Sequence, residues 1–194
     1  MTYNPGVLVD QQIKECFEND IIGIKPFREE AIQPNSYDLH LSDSFVSYIN
    51  EDVYDSHIID PYLPMDPDIM EFLTGLEKYR IYPGEFVLAS TIEYIKLPAD
   101  ICGILSGKSS LARLGLSIHQ TGGFIDAGFE GQLTLELFNA LPYPIELTVG
   151  MPIAQISFIL TSAASNFPYG LKPDSKYQYQ CGAQPSRYNE NKKD

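Results

Sequence analysis

Lys108 and Arg113 are the only Lys or Arg residues between Lys96 and Lys172, and Ser109 and Ser110 lie between them. Ahead of them runs Gly103-Ile104-Leu105-Ser106-Gly107, so a glycine-rich backbone delivers a lysine and a serine together. That is the chemistry of a phosphate cradle, in which backbone N–H groups and an ammonium share an anion. The loop is one residue short of the Walker A spacing, with three residues between its glycines where four are required. A P-loop also needs a βαβ unit, and the short strand-like runs around it provide none. A P-loop NTPase is therefore excluded, while an anion site built on Lys108 and Arg113 is retained. Either cation alone would be an ordinary solvated surface charge; their setting among serines and glycines favours the anion site.

Two carboxylates follow. Glu136 interrupts Leu133-Thr134-Leu135-Glu136-Leu137, and the two-residue period of a strand puts it on one face with Thr134 and the three leucines on the other. A strand Glu facing solvent is the common outcome of such a pattern. One buried there would hold its proton toward neutrality through desolvation and could shuttle protons. Asp126, in Ile125-Asp126-Ala127-Gly128, is by itself an ordinary turn residue.

These residues sit in a chain of 194, with 26 Asp plus Glu against 13 Lys plus Arg and a formal net charge of -13. The length suits a single domain over 1–194, and 44% hydrophobic with 12% aromatic residues supports a packed core. The acidic field disfavours nucleic acid and membrane surfaces as partners. Cys16, Cys102 and Cys181 form no C-x-x-C pair, as expected of reduced thiols, and neither a disulfide framework nor a four-cysteine zinc site is expected. Residues 1–20 lack the basic start and apolar run of a signal peptide, and no stretch has the roughly 18 apolar residues of a membrane span, so a cytoplasmic location is expected.

The positioning elements read as mainly β. A short amphipathic helix is expected over Asp10–Glu18 with Asp10 as its N-cap, then a strand at 21–24 and a half-buried strand at 36–41. Residues 50–76, acidic and bearing Pro61, Pro64 and Pro67, read as a surface excursion. Further strands are expected at 86–89, 92–97, 102–105, 133–137, 145–149 and 153–160, a spacing that argues for an antiparallel barrel or jelly roll. Within 109–116 a single helical turn is expected, capped by Ser109 or Ser110 and ended by Gly115. The polar tail over 162–194 should be mobile in isolation.

Three long motifs make the chain similar to a known family. Residues 107–116 from Gly107-Lys108-Ser109-Ser110 to Gly115-Leu116, residues 119–131 from His119-Gln120-Thr121-Gly122-Gly123 to Gly131, and the strand 133–137 resemble the dCTP deaminase branch of the dUTPase superfamily. The likeness extends to Gln33-Pro34-Asn35-Ser36-Tyr37-Asp38-Leu39, to Gly150-Met151-Pro152-Ile153-Ala154-Gln155 and to Ser175-Lys176-Tyr177-Gln178-Tyr179-Gln180. It implies a distorted jelly roll or dUTPase-like β-barrel and a homotrimer with sites between subunits. It also implies Mg²⁺ on the substrate triphosphate and no zinc. Independently, the chain has neither the H-x-E nor the P-C-x-x-C of the zinc deaminases.

By the same resemblance, Glu136 is the catalytic proton shuttle, Ser109 holds the attacking water, and Arg113 stabilises charge beside the pyrimidine. Lys108 stands where the family usually has Arg, trading a bidentate fork for a point charge on phosphate. The resemblance also places Ser110, Leu111, Ala112, Thr134 and Leu135 around the nucleotide, and Asp126 on the deoxyribose 3′-OH. Gln155, Tyr169, Lys176 and Gln180 match positions that contact nucleotide or phosphates, the last three in a tail that would close as a lid. Gly122 and Gly123 resemble the bifunctional type, which carries dUTP on to dUMP and pyrophosphate; a glycine at 123 would allow closer approach to the phosphates. Gly122 departs mildly from the family's alanine. The implied ligands are dCTP and dUTP, with dTTP as a feedback inhibitor. The alternatives are a dCTP deaminase only, a dUTPase only, a non-catalytic nucleotide sensor and, most remotely, a structural jelly roll.

Overall fold

The computed structural model describes residues 4–49 and 58–191. In chain order the elements are β1 (Gly6–Val7), α1 (Asp10–Glu18), β2 (Gly23–Lys25), β3 (Ile32–Gln33), β4 (Ser36–Tyr48), β5 (Met70–Leu73), β6 (Lys78–Ile81), β7 (Phe86–Lys96), β8 (Ile101–Gly107), α2 (Ser109–Ala112), β9 (Leu116–Ser117), β10 (Phe124–Ile125), β11 (Glu130–Asn139), β12 (Ile145–Thr148) and β13 (Pro152–Leu160). The main sheet runs β10-β8-β13-β4-β7-β11-β9, with β1, β2, β3 and β5 attached beside it, and β12 pairs with β6 in a separate ribbon. The pairings are antiparallel. The sheet curls into a half-barrel, so the mainly β, dUTPase-like architecture expected from the sequence is the one observed.

Strand β11 shows why the register holds. Leu133, Leu135 and Leu137 are 5%, 0% and 0% exposed, while Thr134 and Glu136 between them are half-buried. Each buried leucine contributes roughly 1.5–3 kcal/mol relative to exposure. A one-residue slip would turn all three outward and drive Glu136 into the core. The pairing of Thr134 with Ser90, Leu135 with Ala89 and Glu136 with Leu88 is thereby set by burial.

Several local expectations change. Helix α1 spans the expected residues, but Val9 precedes it as N-cap and Asp10 is already helical; the Val9 N–H donates to Gln12 Oε1 at 3.0 Å. The runs 86–89 and 92–97 join in one continuous strand, β7. The strand expected at 21–24 lies at Gly23–Lys25. Segment 36–41 is buried on both faces, because the alternating Ser36, Asp38, His40 and Ser42, each 7% exposed, find polar partners on neighbouring elements. Helix α2 is flanked by Lys108 with no side-chain cap, so neither serine caps it; Gly115, at φ +76°, ends the turn as expected. Of the expected excursion, 50–57 lie outside the described residues and most of 58–68 is exposed, whereas 70–73 form β5 and pair with β4.

Candidate active site

A cavity of about 470 Å³ opens between β11, the β10 turn and the C-terminal segment, within the size range of small-molecule sites. Its polar wall holds Glu136 and Thr134 from β11, Asp126 from the turn after β10, and Gly122 from the loop ahead of it. Its apolar wall includes Leu88, Leu105, Phe124 and Phe129, and Tyr169, Tyr177, Gln180 and Gln184 close it from the tail.

Glu136 is held at one oxygen and free at the other. Its Oε2 accepts the Gln120 N–H at 2.7 Å, and its own backbone N–H donates to Ile118 O at 2.9 Å, so the 118–122 loop is folded over the carboxylate. Oε1 has no hydrogen-bond partner among the described residues. A Cβ built on Gly122 would meet only this oxygen, at 3.7 Å. Glu136 is half-buried rather than enclosed, because its face of β11 opens on the cavity. A carboxylate with one fixed and one open oxygen beside a ligand-sized space has the geometry of a general base.

Gly123 does not line the cavity. A Cβ there would stand 2.9 Å from Leu105 O and 3.2–3.3 Å from the His119 ring, and the Gly123 carbonyl accepts the Leu105 N–H at 2.7 Å. The requirement for glycine therefore comes from packing of the loop on β8, not from space left for phosphates.

The tail is docked. Gln132 N–H donates to Gln180 O at 3.0 Å, Gln180 Nε2 returns to Gln132 O at 2.7 Å, and Gly182 N–H reaches Gln132 Oε1 at 2.6 Å. Gln184 N–H donates to Thr134 Oγ1 at 3.2 Å, and Ala183 is buried at 4% exposure. Tyr169 is anchored by its N–H to Ala127 O at 2.8 Å and stands with its ring 5.7 Å from that of Phe129. Tyr177, Gln184 and Ser186 belong to the lining although sequence reasoning did not select them; Tyr177 lies inside the quoted segment 175–180, between the two residues that were chosen.

The expected cations lie elsewhere. None of Lys108, Ser109, Ser110, Leu111, Ala112 or Arg113 lines the cavity, and the side chain of Leu135 is wholly in the core. Leu105 and Ser106 are consecutive on β8 and so point to opposite faces. Leu105 faces the cavity, while Ser106 is in register with Gln155 on β13, and Gln155 with Asp38 on β4. On that outer face Lys108 Nζ bonds Asp38 Oδ2 at 2.6 Å, and Ser36 Oγ lies 3.3 Å from Gln155 Oε1. Ser109 and Arg113 project from α2 exposed. Lys176 is half-buried outside the cavity, its Nζ 3.4 Å from Asp174 O. One chain thus carries the carboxylates and the docked tail at one place and the cations Lys108 and Arg113 at another.

The described residues contain no group of three His, Cys, Asp or Glu placed to hold a metal ion. The cavity's carboxylates are Asp126 and Glu136. Magnesium keeps several waters and is commonly bound through one or two carboxylates plus substrate phosphates, so this donor set fits an ion that enters on a triphosphate.

A family model described as dCTP deaminase-like matches residues 7–161. A protein of Methanospirillum hungatei named dCTP deaminase, dUMP-forming, is 47% identical over 193 residues, covering 96% of this chain and 98% of its own. A Corynebacterium glutamicum protein of the same name is 45% identical over 184 residues, covering 93% of this chain and 95% of its own. Among solved structures, the 2′-deoxycytidine 5′-triphosphate deaminase from Agrobacterium tumefaciens matches with a TM-score of 0.63 at 24% identity. The match covers 84% of this chain and spans about half, 50%, of that one, and it bears on the fold alone.

Proposed function

We propose, from the premise that this chain belongs to the dCTP deaminase-like family, that it is an enzyme converting dCTP to dUMP in one site. Water and dCTP give dUTP and ammonia; a second water and dUTP give dUMP and pyrophosphate. The observation that carries this reading is Glu136, with Oε2 fixed by the Gln120 N–H and Oε1 open to the cavity. In the first step water adds to C4 of the cytosine and Glu136 Oε1 passes the water's first proton to N3; Glu136 then carries the hydroxyl proton of the adduct to the amino group, and ammonia leaves as the C4 carbonyl forms. Asp126, exposed in the cavity wall, accepts the deoxyribose 3′-OH. Thr134, the Leu135 backbone, Tyr169 and Gln180 surround the nucleoside, and the lid keeps bulk water from the phosphates. Bound on the triphosphate, Mg²⁺ would neutralise phosphate oxygens for the second hydrolysis.

The α2 groups enter from a second copy. Ser109 positions the attacking water and Arg113 stabilises charge at the base. Lys108, Ser110, the turn through Leu111 and Ala112, Gln155 and Lys176 meet the triphosphate. What supports an assembled site is the separation of these groups from Glu136 within one chain, together with an exposed apolar pair at the β10 edge of the sheet. Ile104 and Phe124 are cross-strand partners, 38% and 63% exposed, the kind of surface a partner covers. A homotrimer is the assembly this reading takes. Gly122 in the cavity wall, by its likeness to the bifunctional type, and the dUMP-forming relatives favour the two-step reaction over a deaminase alone, with dTTP competing for the same pocket. A cytoplasmic location accords with three free cysteines.

The test is Glu136→Gln. Ammonia release from dCTP should fall by about 100-fold or more, as expected for losing a positioned acid–base group, while dCTP still binds. Ammonia release at the wild-type rate would overturn the assignment. A variant that keeps dUTP hydrolysis, together with a wild type that never releases ammonia, would favour a dUTPase alone; binding without turnover in the wild type would favour a sensor.

A further inference from the structure

We infer that Asp38 is a positioning residue: it clamps Lys108 across β13 and thereby fixes the turn that carries Ser109 and Arg113. The inference rests on the dCTP reading only for its kinetic consequence, since the clamp itself is geometric.

Asp38 is 7% exposed, an unusual place for a carboxylate. Its Oδ2 accepts Lys108 Nζ at 2.6 Å and, more weakly, Gln33 Nε2 at 3.3 Å. Its Oδ1 is buried with no partner among the described residues. Lys108 is therefore the cation that compensates this buried charge, and its side chain is itself only 25% exposed. Asp38, Gln155 and Ser106 lie side by side on β4, β13 and β8, so Lys108, two residues beyond Ser106, must stretch over Gln155 to reach β4.

That stretch has a consequence for α2. The Lys108 carbonyl accepts the N–H groups of Leu111 and Ala112 at 2.9 and 3.0 Å, so the turn is built on the residue whose side chain is tied down. Helix α2 has four residues and no side-chain cap; so short a helix has little stability of its own. The ion pair anchors it to the sheet centre and leaves the remaining Lys108 protons for an anion. An arginine at 108 could serve Asp38 and an anion with separate nitrogens, whereas lysine presents both from one.

Two measurements on the full-length protein test this. In the absence of nucleotide, limiting acetylation read by mass spectrometry should label Lys108 slowly relative to exposed Lys172, and Asp38→Asn should speed labelling of Lys108 by about fivefold, as expected when a partly buried ion pair is released. In steady-state kinetics with dCTP and Mg²⁺, Asp38→Asn should raise KM by about 5–20-fold and lower kcat as well, because Ser109 and Arg113 ride on the released turn; Asp38→Glu should recover part of both, and Asp38→Asn should add nothing in a Lys108→Met background. Unchanged labelling of Lys108 overturns the clamp whatever the enzyme turns over. A KM increase of the same size in both backgrounds overturns action through Lys108. Should Lys108→Met fail to fold, Lys108→Arg serves as the background, where Asp38→Asn should have a smaller effect on KM; an equal effect counts against the clamp. A wild type with no turnover of dCTP refutes the proposed function and leaves the labelling result to decide the clamp.

Discussion

Two adjacent glycines should respond oppositely to the same methyl group. In Gly123→Ala the new Cβ would stand 2.9 Å from Leu105 O and 3.2–3.3 Å from the His119 ring. The Leu105 carbonyl cannot yield cheaply, because the Leu105 N–H is bonded to Gly123 O at 2.7 Å and the two backbones are tied together. Overpacking of this kind costs about 1–3 kcal/mol. The loop that must move also carries the Gln120 N–H that fixes Glu136 Oε2. If the displacement falls on the loop, the population holding Glu136 in place, and with it the rate, should fall by about 5–150-fold, at tenfold per 1.36 kcal/mol. In Gly122→Ala the Cβ meets only Glu136 Oε1, at an ordinary 3.7 Å, and the rate should stay within about threefold of wild type. Ammonia and pyrophosphate release from dCTP, measured for both variants beside thermal melts, decides the matter. A Gly123→Ala enzyme at the wild-type rate, or a Gly122→Ala enzyme as impaired as Gly123→Ala, would refute the packing argument.

Other outcomes follow from the same geometry. Gln132→Ala removes the acceptor of the Gly182 N–H and the donor to Ile92 O; the segment after 178 should become more sensitive to limited proteolysis by about fivefold, with KM rising more than kcat falls. Unchanged cleavage would mean that the backbone bonds suffice to hold the tail. Burial pushes the Tyr37 hydroxyl up from 10.0 to about 12. Its folded pKa is raised, so its contribution to stability is complete below pH 10 and is lost between pH 10 and about 12. That loss amounts to about 3 kcal/mol. Tyr37→Phe should flatten stability over this window, and a profile as steep as wild type would exclude Tyr37 as its source. Chelation of divalent ions should weaken dCTP binding by at least about tenfold, because the acidic chain then meets the triphosphate without its counter-ion; equal affinity with and without chelator would contradict this.

How much of this was legible in the sequence depended on whether a property was local. The alternation of Leu133, Leu135 and Leu137 against Thr134 and Glu136 is written residue by residue, and β11 obeys it. The strand nature of 86–97 was equally visible, but its continuity was not, since turn-like Ser90 and Thr91 are buried by partners on other elements. Asp38 illustrates the harder case. A strand of alternating polar residues looks half-exposed until Lys108, 70 positions away, arrives as its partner. The docking of 179–184 on β11 and β4 likewise depends on Gln132, Thr134 and Ser44, which carry no local mark of that use. Six of the expected site residues, Gly122, Asp126, Thr134, Glu136, Tyr169 and Gln180, converge on one cavity. The α2 set does not: within one chain Lys108, Ser109 and Arg113 lie outside that cavity.

The most direct measurement is a quenched time course of the purified protein with dCTP and Mg²⁺, following ammonia, dUTP, dUMP and pyrophosphate together. Ammonia, dUMP and pyrophosphate should rise in equal amounts with no accumulation of dUTP. Stoichiometric dUTP as the final product would contradict the coupled reaction, and the absence of ammonia would contradict deamination at Glu136.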